Sequence, residues 1–108
     1  MEKSHKKLNV WLEAIELVKC VYEITASLPS EEKFGLVSQM RRAAVSIPSN
    51  IAEGASRQGS KDSIKFFVIA RSSLSELDTQ IEICKQLKFY PNRTLTGFRN
   101  ISKQQNLC

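Results

Sequence analysis

The sequence predicts an all-α protein, an antiparallel up-and-down four-helix bundle with a short or altered fourth helix. Three long segments repeat apolar residues at three- and four-residue steps, the pattern of amphipathic helices. Only four glycines and three prolines interrupt the 108 residues. The connections between the long segments are so short that successive helices must run antiparallel. A chain of this length is expected to form one domain, residues 1–108, around one core.

The first helix is expected over about 8–28, where Trp11, Ala14, Ile15, Val18, Val21, Tyr22, Thr25 and Leu28 form one stripe. Glu13, Glu16 and Glu23 lie on another side. Pro29 cannot continue that helix, and Ser30 is placed to cap the next one, with Glu31 and Glu32 in its first turn.

The second helix is expected over about 31–57, although Pro48 stands inside it. Val37, Met40, Ala44 and Ile47 keep their phase with Ile51 and Ala55 beyond the proline. A proline there removes the bond to the carbonyl of Ala44 and costs roughly 3 kcal/mol, which a packed helix absorbs by bending. One helix bent near Pro48 therefore fits the stripe. The alternative is a short turn with Ser46 or Ser49 capping a new helix. Gln39, Arg42, Ser46, Asn50, Glu53 and Arg57 share one narrow polar arc. Serine and asparagine in its middle suit close approach to a neighbouring helix, with hydrogen bonds across the gap. Ala43, Ala44, Ala52, Gly54 and Ala55 thin the other sides, so this helix reads as surrounded.

Gly59 reads as a helix C-terminal glycine and Ser60 as a new cap, with Asp62 in the first turn of a third helix over about 61–88. Phe67, Ala70, Leu74, Leu77, Ile81, Cys84 and Lys88 follow a 3.5-residue period, which favours left-handed bundle packing. Phe66, Ile69, Ile83 and Leu87 widen the apolar surface, and Pro91 ends the segment. Leu95, Phe98 and Ile101 are spaced for a weak fourth helix over 94–105, against which Gly97 argues.

No pattern in the chain announces a reaction. The glycines at 35, 54, 59 and 97 stand alone, so no glycine-rich loop cradles a phosphate. The one histidine, His5, lies in a polar N-terminal stretch and is expected to be solvated, which leaves serine and cysteine without a base. Glu-x-x-His, the di-iron bundle pattern, is absent. Glu53 and Glu76 are expected to pair with Arg42 or Arg57 rather than to exchange protons. Cys20, Cys84 and Cys108 are odd in number and widely spaced, as reduced thiols are. The expectation is no enzyme, no cofactor and no metal. No apolar run approaches the ~20 residues of a membrane span, and the N-terminus lacks the apolar core of a secretory signal. A cytoplasmic protein without a membrane partner is expected.

The net charge is +5, yet 8–32 carries Glu13, Glu16, Glu23, Glu31 and Glu32 against Lys19 alone. A basic remainder points to an anionic partner or to complementary faces on copies of the chain.

"QMRRAAVSIPSNIAEGASR" followed by "FFVIARSSLSELDTQIEIC" is a long and specific pairing, and "VWLEAIELVKCVYEITASLPSEEKFGL" precedes it. Over Val10 to Tyr90 the chain resembles the four-helix bundle proteins encoded in intervening sequences of bacterial 23S ribosomal RNA genes. The same family includes the accessory protein of diversity-generating retroelements. The resemblance implies an up-down bundle assembled as a homopentameric ring, without known catalysis, and a basic surface for nucleic acid. Its fourth helix is usually long and amphipathic, and this chain departs from that after Pro91.

Two functions are carried forward. In the first, the protein is an accessory factor that binds RNA or DNA through Arg41, Arg57, Lys61, Lys65 and Arg71, gathered around the turn between the second and third helices. Arg93, Arg99 and Lys103 would add charge from the tail, whereas Arg42 is assigned to the polar arc. No aromatic interleaving of these cations is apparent along the chain. In the second, the protein is a self-assembling scaffold that binds another protein, and its cations pair with Glu13, Glu16 and Glu23 of a neighbour.

Overall fold

The computed structural model describes residues 4–89, all of whose regular structure is helical. A 3₁₀ turn at Ser4–Lys7 leads into α1, Asn9–Thr25; a second at Ser30–Glu32 precedes α2, Leu36–Ser56; α3 follows at Ser60–Gln86. The weak fourth helix expected over 94–105, and the tail cations, lie outside the described residues.

The helix α2 runs through Pro48 without interruption. The two polar side chains that follow the proline supply donors beside the bond it removes. Ser49 Oγ donates to the carbonyl of Val45 at 2.8 Å, and Asn50 Nδ2 donates to that of Ser46 at 2.8 Å. Pro48 itself is buried, and the shelf it lines is shared with Trp11, Ile15 and Val18 of α1.

The start of α2 differs from the expectation. Gly35, at φ −106° and ψ −105°, interrupts the chain, so the helix begins at Leu36 and not near residue 31. Ser30 makes no cap. Glu32 takes that role through a long 3.4 Å bond accepted from the Leu36 N–H, which sets a carboxylate at the positive end of the α2 dipole. Gly59 likewise is not a left-handed helix end; at φ −95° it is the extended residue before α3, and Ser60 is already helical.

Packing is antiparallel at both helix pairs. Along α2 and α3, Gly54 meets Phe67, Ser46 meets Ser73 and Met40 meets Cys84. Along α1 and α2, the Arg41 side chain reaches Tyr22 and Thr25, whereas Pro48 and Ala52 share a surface with Trp11. Both flanking helices thus pack mainly on α2. The core runs through Leu17, Val21 and Ile24 of α1, Met40, Ala44 and Ile47 of α2, and Leu77 and Cys84 of α3. Burying a side chain such as Val21, Met40 or Leu77 stabilises by roughly 1.5–3 kcal/mol.

Gly54 is required by contact rather than by backbone. A Cβ there would lie 2.6 Å from Cε1 of Phe67, so the missing side chain is what lets the ring sit on α2. At the far end of α3, Lys88 takes the left-handed conformation at φ 56°. The Phe89 N–H reaches the carbonyl of Cys84, and the Lys88 N–H that of Lys85, which is a Schellman ending with lysine where glycine is usual.

His5 is half-buried, not solvated. Its ring stands 5.1 Å from that of Trp11 at 67°, an edge-to-face pair. Cys20 is half-buried and Cys84 buried, and neither forms a disulfide among the described residues. Burial, with Glu23 adding to it, pushes the Cys20 thiol up to about 11.

Candidate nucleic-acid interface

Gln39, Arg42, Ser46, Asn50 and Glu53 do not act as one arc. Its middle is what meets α3: the Ser46 and Ser73 hydroxyls lie 2.8 Å apart, and Asn50 Nδ2 also donates to Ser46 Oγ at 3.0 Å. These small side chains allow the two backbones to approach. The ends of the arc face solvent. Gln39 and Arg42 are exposed, and Glu53 accepts from Arg57 Nη2 at 3.0 Å, an i,i+4 pair with both side chains about half exposed.

The five cations expected at the turn between α2 and α3 fall into three places. Arg57, Lys61 and Lys65 come together there. The guanidinium of Arg57 lies 4.7 Å from the centre of the Phe66 ring, and the ammonium of Lys65 lies 5.9 Å from it. Lys61 is one turn before Lys65 on the same face of α3, exposed and without an ion pair among the described residues. Arg71 is exposed but does not join them. Six residues beyond Lys65, it is turned about 120° away around the helix.

Arg41 is not at this turn at all. It precedes Arg57 by sixteen residues, or about 24 Å of helix, and faces α1. Its Nε donates to Thr25 Oγ1 at 2.8 Å and its Nη2 to the Tyr22 carbonyl at 3.3 Å, while the guanidinium lies 4.5 Å from the centre of the Tyr22 ring. Thr25 in turn donates to the Val21 carbonyl at 2.6 Å. The expected roles of the two adjacent arginines are exchanged: Arg41 makes the internal hydrogen bonds, and Arg42 is the exposed charge.

Sequence reasoning missed the aromatic partners. Arg57 and Lys65 both lie over the Phe66 ring, and two further cation–ring contacts, Arg41 with Tyr22 and Lys33 with Phe34, form at the opposite end of α2. The available signal was weak: the dipeptide Lys-Phe occurs at Lys33–Phe34 and at Lys65–Phe66, but also at Lys88–Phe89, so it does not single out the two groups. Cations beside rings can hold phosphate oxygens and offer a face to a base.

Among the described residues no group of histidine, cysteine or carboxylate side chains is arranged to hold a metal ion, and no helix is long and apolar enough to cross a membrane. No curated protein matches the chain. The family model described as 23S rRNA-intervening sequence protein does match, over residues 6–106, and the chain belongs to that family.

Proposed function

We propose that the protein is a non-enzymatic, cytoplasmic helical bundle that assembles with copies of itself and binds RNA or DNA through basic surface, without strong sequence preference. The observation that carries this reading is the group at the α2–α3 turn, where Arg57 and Lys65 both contact the Phe66 ring and Lys61 adds a further exposed charge. Glu53 and Asp62 lie close by in sequence and reduce the local field. Repetition around a ring restores it, because each phosphate contact adds a released counterion. A four-helix bundle is carried over from the resemblance. The ring is a closed homo-oligomer, and its number, five, is carried over from the resemblance alone.

A scaffold that binds another protein is the second reading. Ile64, Val68, Ile69 and Ile83 of α3, and Leu87 just after it, favour it, since all are exposed. Filter binding of the wild-type protein to an arbitrary oligonucleotide separates the two. Nucleic-acid binding predicts retention at ~50 mM salt and a loss of tenfold or more by ~200 mM. No retention at the lower salt leaves the scaffold. Light scattering on the same sample should give a multiple of the chain mass, and a clean monomer removes the ring.

A further inference from the structure

We propose that the cleft outside α1 and α2, away from the α2–α3 turn, is a second nucleic-acid site that takes an unpaired nucleotide, its base on Phe34 and its phosphate on Arg41 and Arg42. The proposal rests on the nucleic-acid reading above and assigns it a place and a specificity. The cleft is open, about 660 Å³, and is lined by Tyr22, Lys33, Phe34, Arg41, Arg42 and Val45 among others. Three cations line it and no carboxylate does, so its charge complements a phosphodiester.

Phe34 is 90% exposed, the most exposed large apolar side chain among the described residues. It stands in the three-residue link before α2, beside Lys33, whose ammonium lies 5.5 Å from the ring centre. A ring so placed contributes nothing to the core and costs solvation. It does offer an open face to a base, and stacking on an aromatic ring is tolerant of sequence. Arg41 is pre-positioned by its bonds to Thr25 and Tyr22. Those bonds use two of the five guanidinium donors and leave three for a phosphate. Arg42 is exposed on the next position of the helix, without a partner of its own among the described residues.

Duplex DNA hides its base faces, so this site distinguishes single strands from duplexes, whereas the cations at the α2–α3 turn do not. The test uses the full chain and two probes of equal length, fluorescein-labelled oligothymidylate and a duplex. Phe34→Ala should weaken oligothymidylate binding about tenfold and leave duplex binding and the salt slope unchanged. Arg42→Ala should weaken oligothymidylate binding and lower its salt slope by about one, and leave duplex binding unchanged. Phe34→Trp, read against the Trp11 background, should lose emission on addition of oligothymidylate and not of duplex. Undiminished oligothymidylate binding by Phe34→Ala, with wild-type binding intact, overturns the cleft and spares the turn. A Phe34→Trp emission that shifts to the blue with protein concentration alone assigns the face to a protein contact, which also overturns it. Absence of all binding by the wild type removes the nucleic-acid reading itself.

Discussion

Arg41 and Arg57, near opposite ends of α2, make the same contact with different consequences. Each lays its guanidinium on an aromatic ring, at 4.5 Å and 4.7 Å. Arg41 does so across helices, against residues sixteen and nineteen positions earlier, and its hydrogen bonds tie α2 to the end of α1. Arg57 does so locally, on a ring nine residues away around a tight turn, and its other partner is Glu53 one turn back. One arginine holds the fold while keeping donors free. The other is a surface charge steadied by a ring. A cation–ring contact therefore reports little about a residue's role until its hydrogen bonds and sequence separation are known.

The largest effect expected from this contrast is on stability. Arg41→Ala leaves the buried Thr25 hydroxyl without its donor and should cost about 2 kcal/mol in chemical denaturation. Arg57→Ala should cost no more than about 0.5 kcal/mol, since its ion pair is half exposed. Equal losses from the two variants would erase the distinction.

The turn end of α2 is sharpened by Gly54 and Phe67. Gly54→Ala should destabilise by about 1 kcal/mol, because the new methyl displaces the Phe67 ring despite the better helix propensity of alanine. In a Phe67→Ala background the same change should turn stabilising by up to about 1 kcal/mol. A cycle without that reversal would mean the ring does not depend on the glycine.

Smaller effects belong to the Arg41 end, where α3 finishes. Lys88→Gly should stabilise by somewhat under about 1 kcal/mol, relieving a left-handed lysine at the cost of some unfolded-state entropy. Cys20 gives the least. Its thiol holds a proton more tightly when folded, so the stability this contributes is full below about pH 8.5 and is lost as pH rises toward 11. In a Cys108→Ser variant, labelling of Cys20 near pH 8 should run about a hundredfold slower than that of free cysteine. Labelling at the free-thiol rate would place Cys20 outside the half-buried setting described.

The helical framework was legible because it rests on phase. The stripe from Val37 to Ala55 keeps its register across Pro48, and a continuous helix follows from that alone. Ser46 and Asn50 were legible for a similar reason, as short polar groups where long ones are usual, and they do meet α3. The exchange of Arg41 and Arg42 was not anticipated. Adjacent helical residues differ by 100°, and which of them meets α1 depends on how α2 is rotated against it. Arg41 follows Val37 by four positions and precedes Pro48 by seven, the spacing of the buried stripe's edge, so a weak signal existed. The late start of α2 was marked by Gly35, a residue that periodicity passes over. The ring contact of Phe34 depends on side-chain direction in the link before α2, where no helical period applies, and that of Phe66 on where the α2–α3 turn carries Arg57, which the period of α3 does not fix.

The central claim, that exposed charge at the α2–α3 turn binds nucleic acid by counterion release, is tested most directly by the salt dependence of two proteins side by side. Wild type and Lys61→Ala/Lys65→Ala would be titrated with the same duplex from ~50 to ~200 mM salt, and the logarithm of affinity plotted against that of salt. The account predicts a slope shallower by about two in the double variant, with its helicity and unfolding midpoint unchanged. Identical slopes for two folded proteins would contradict it.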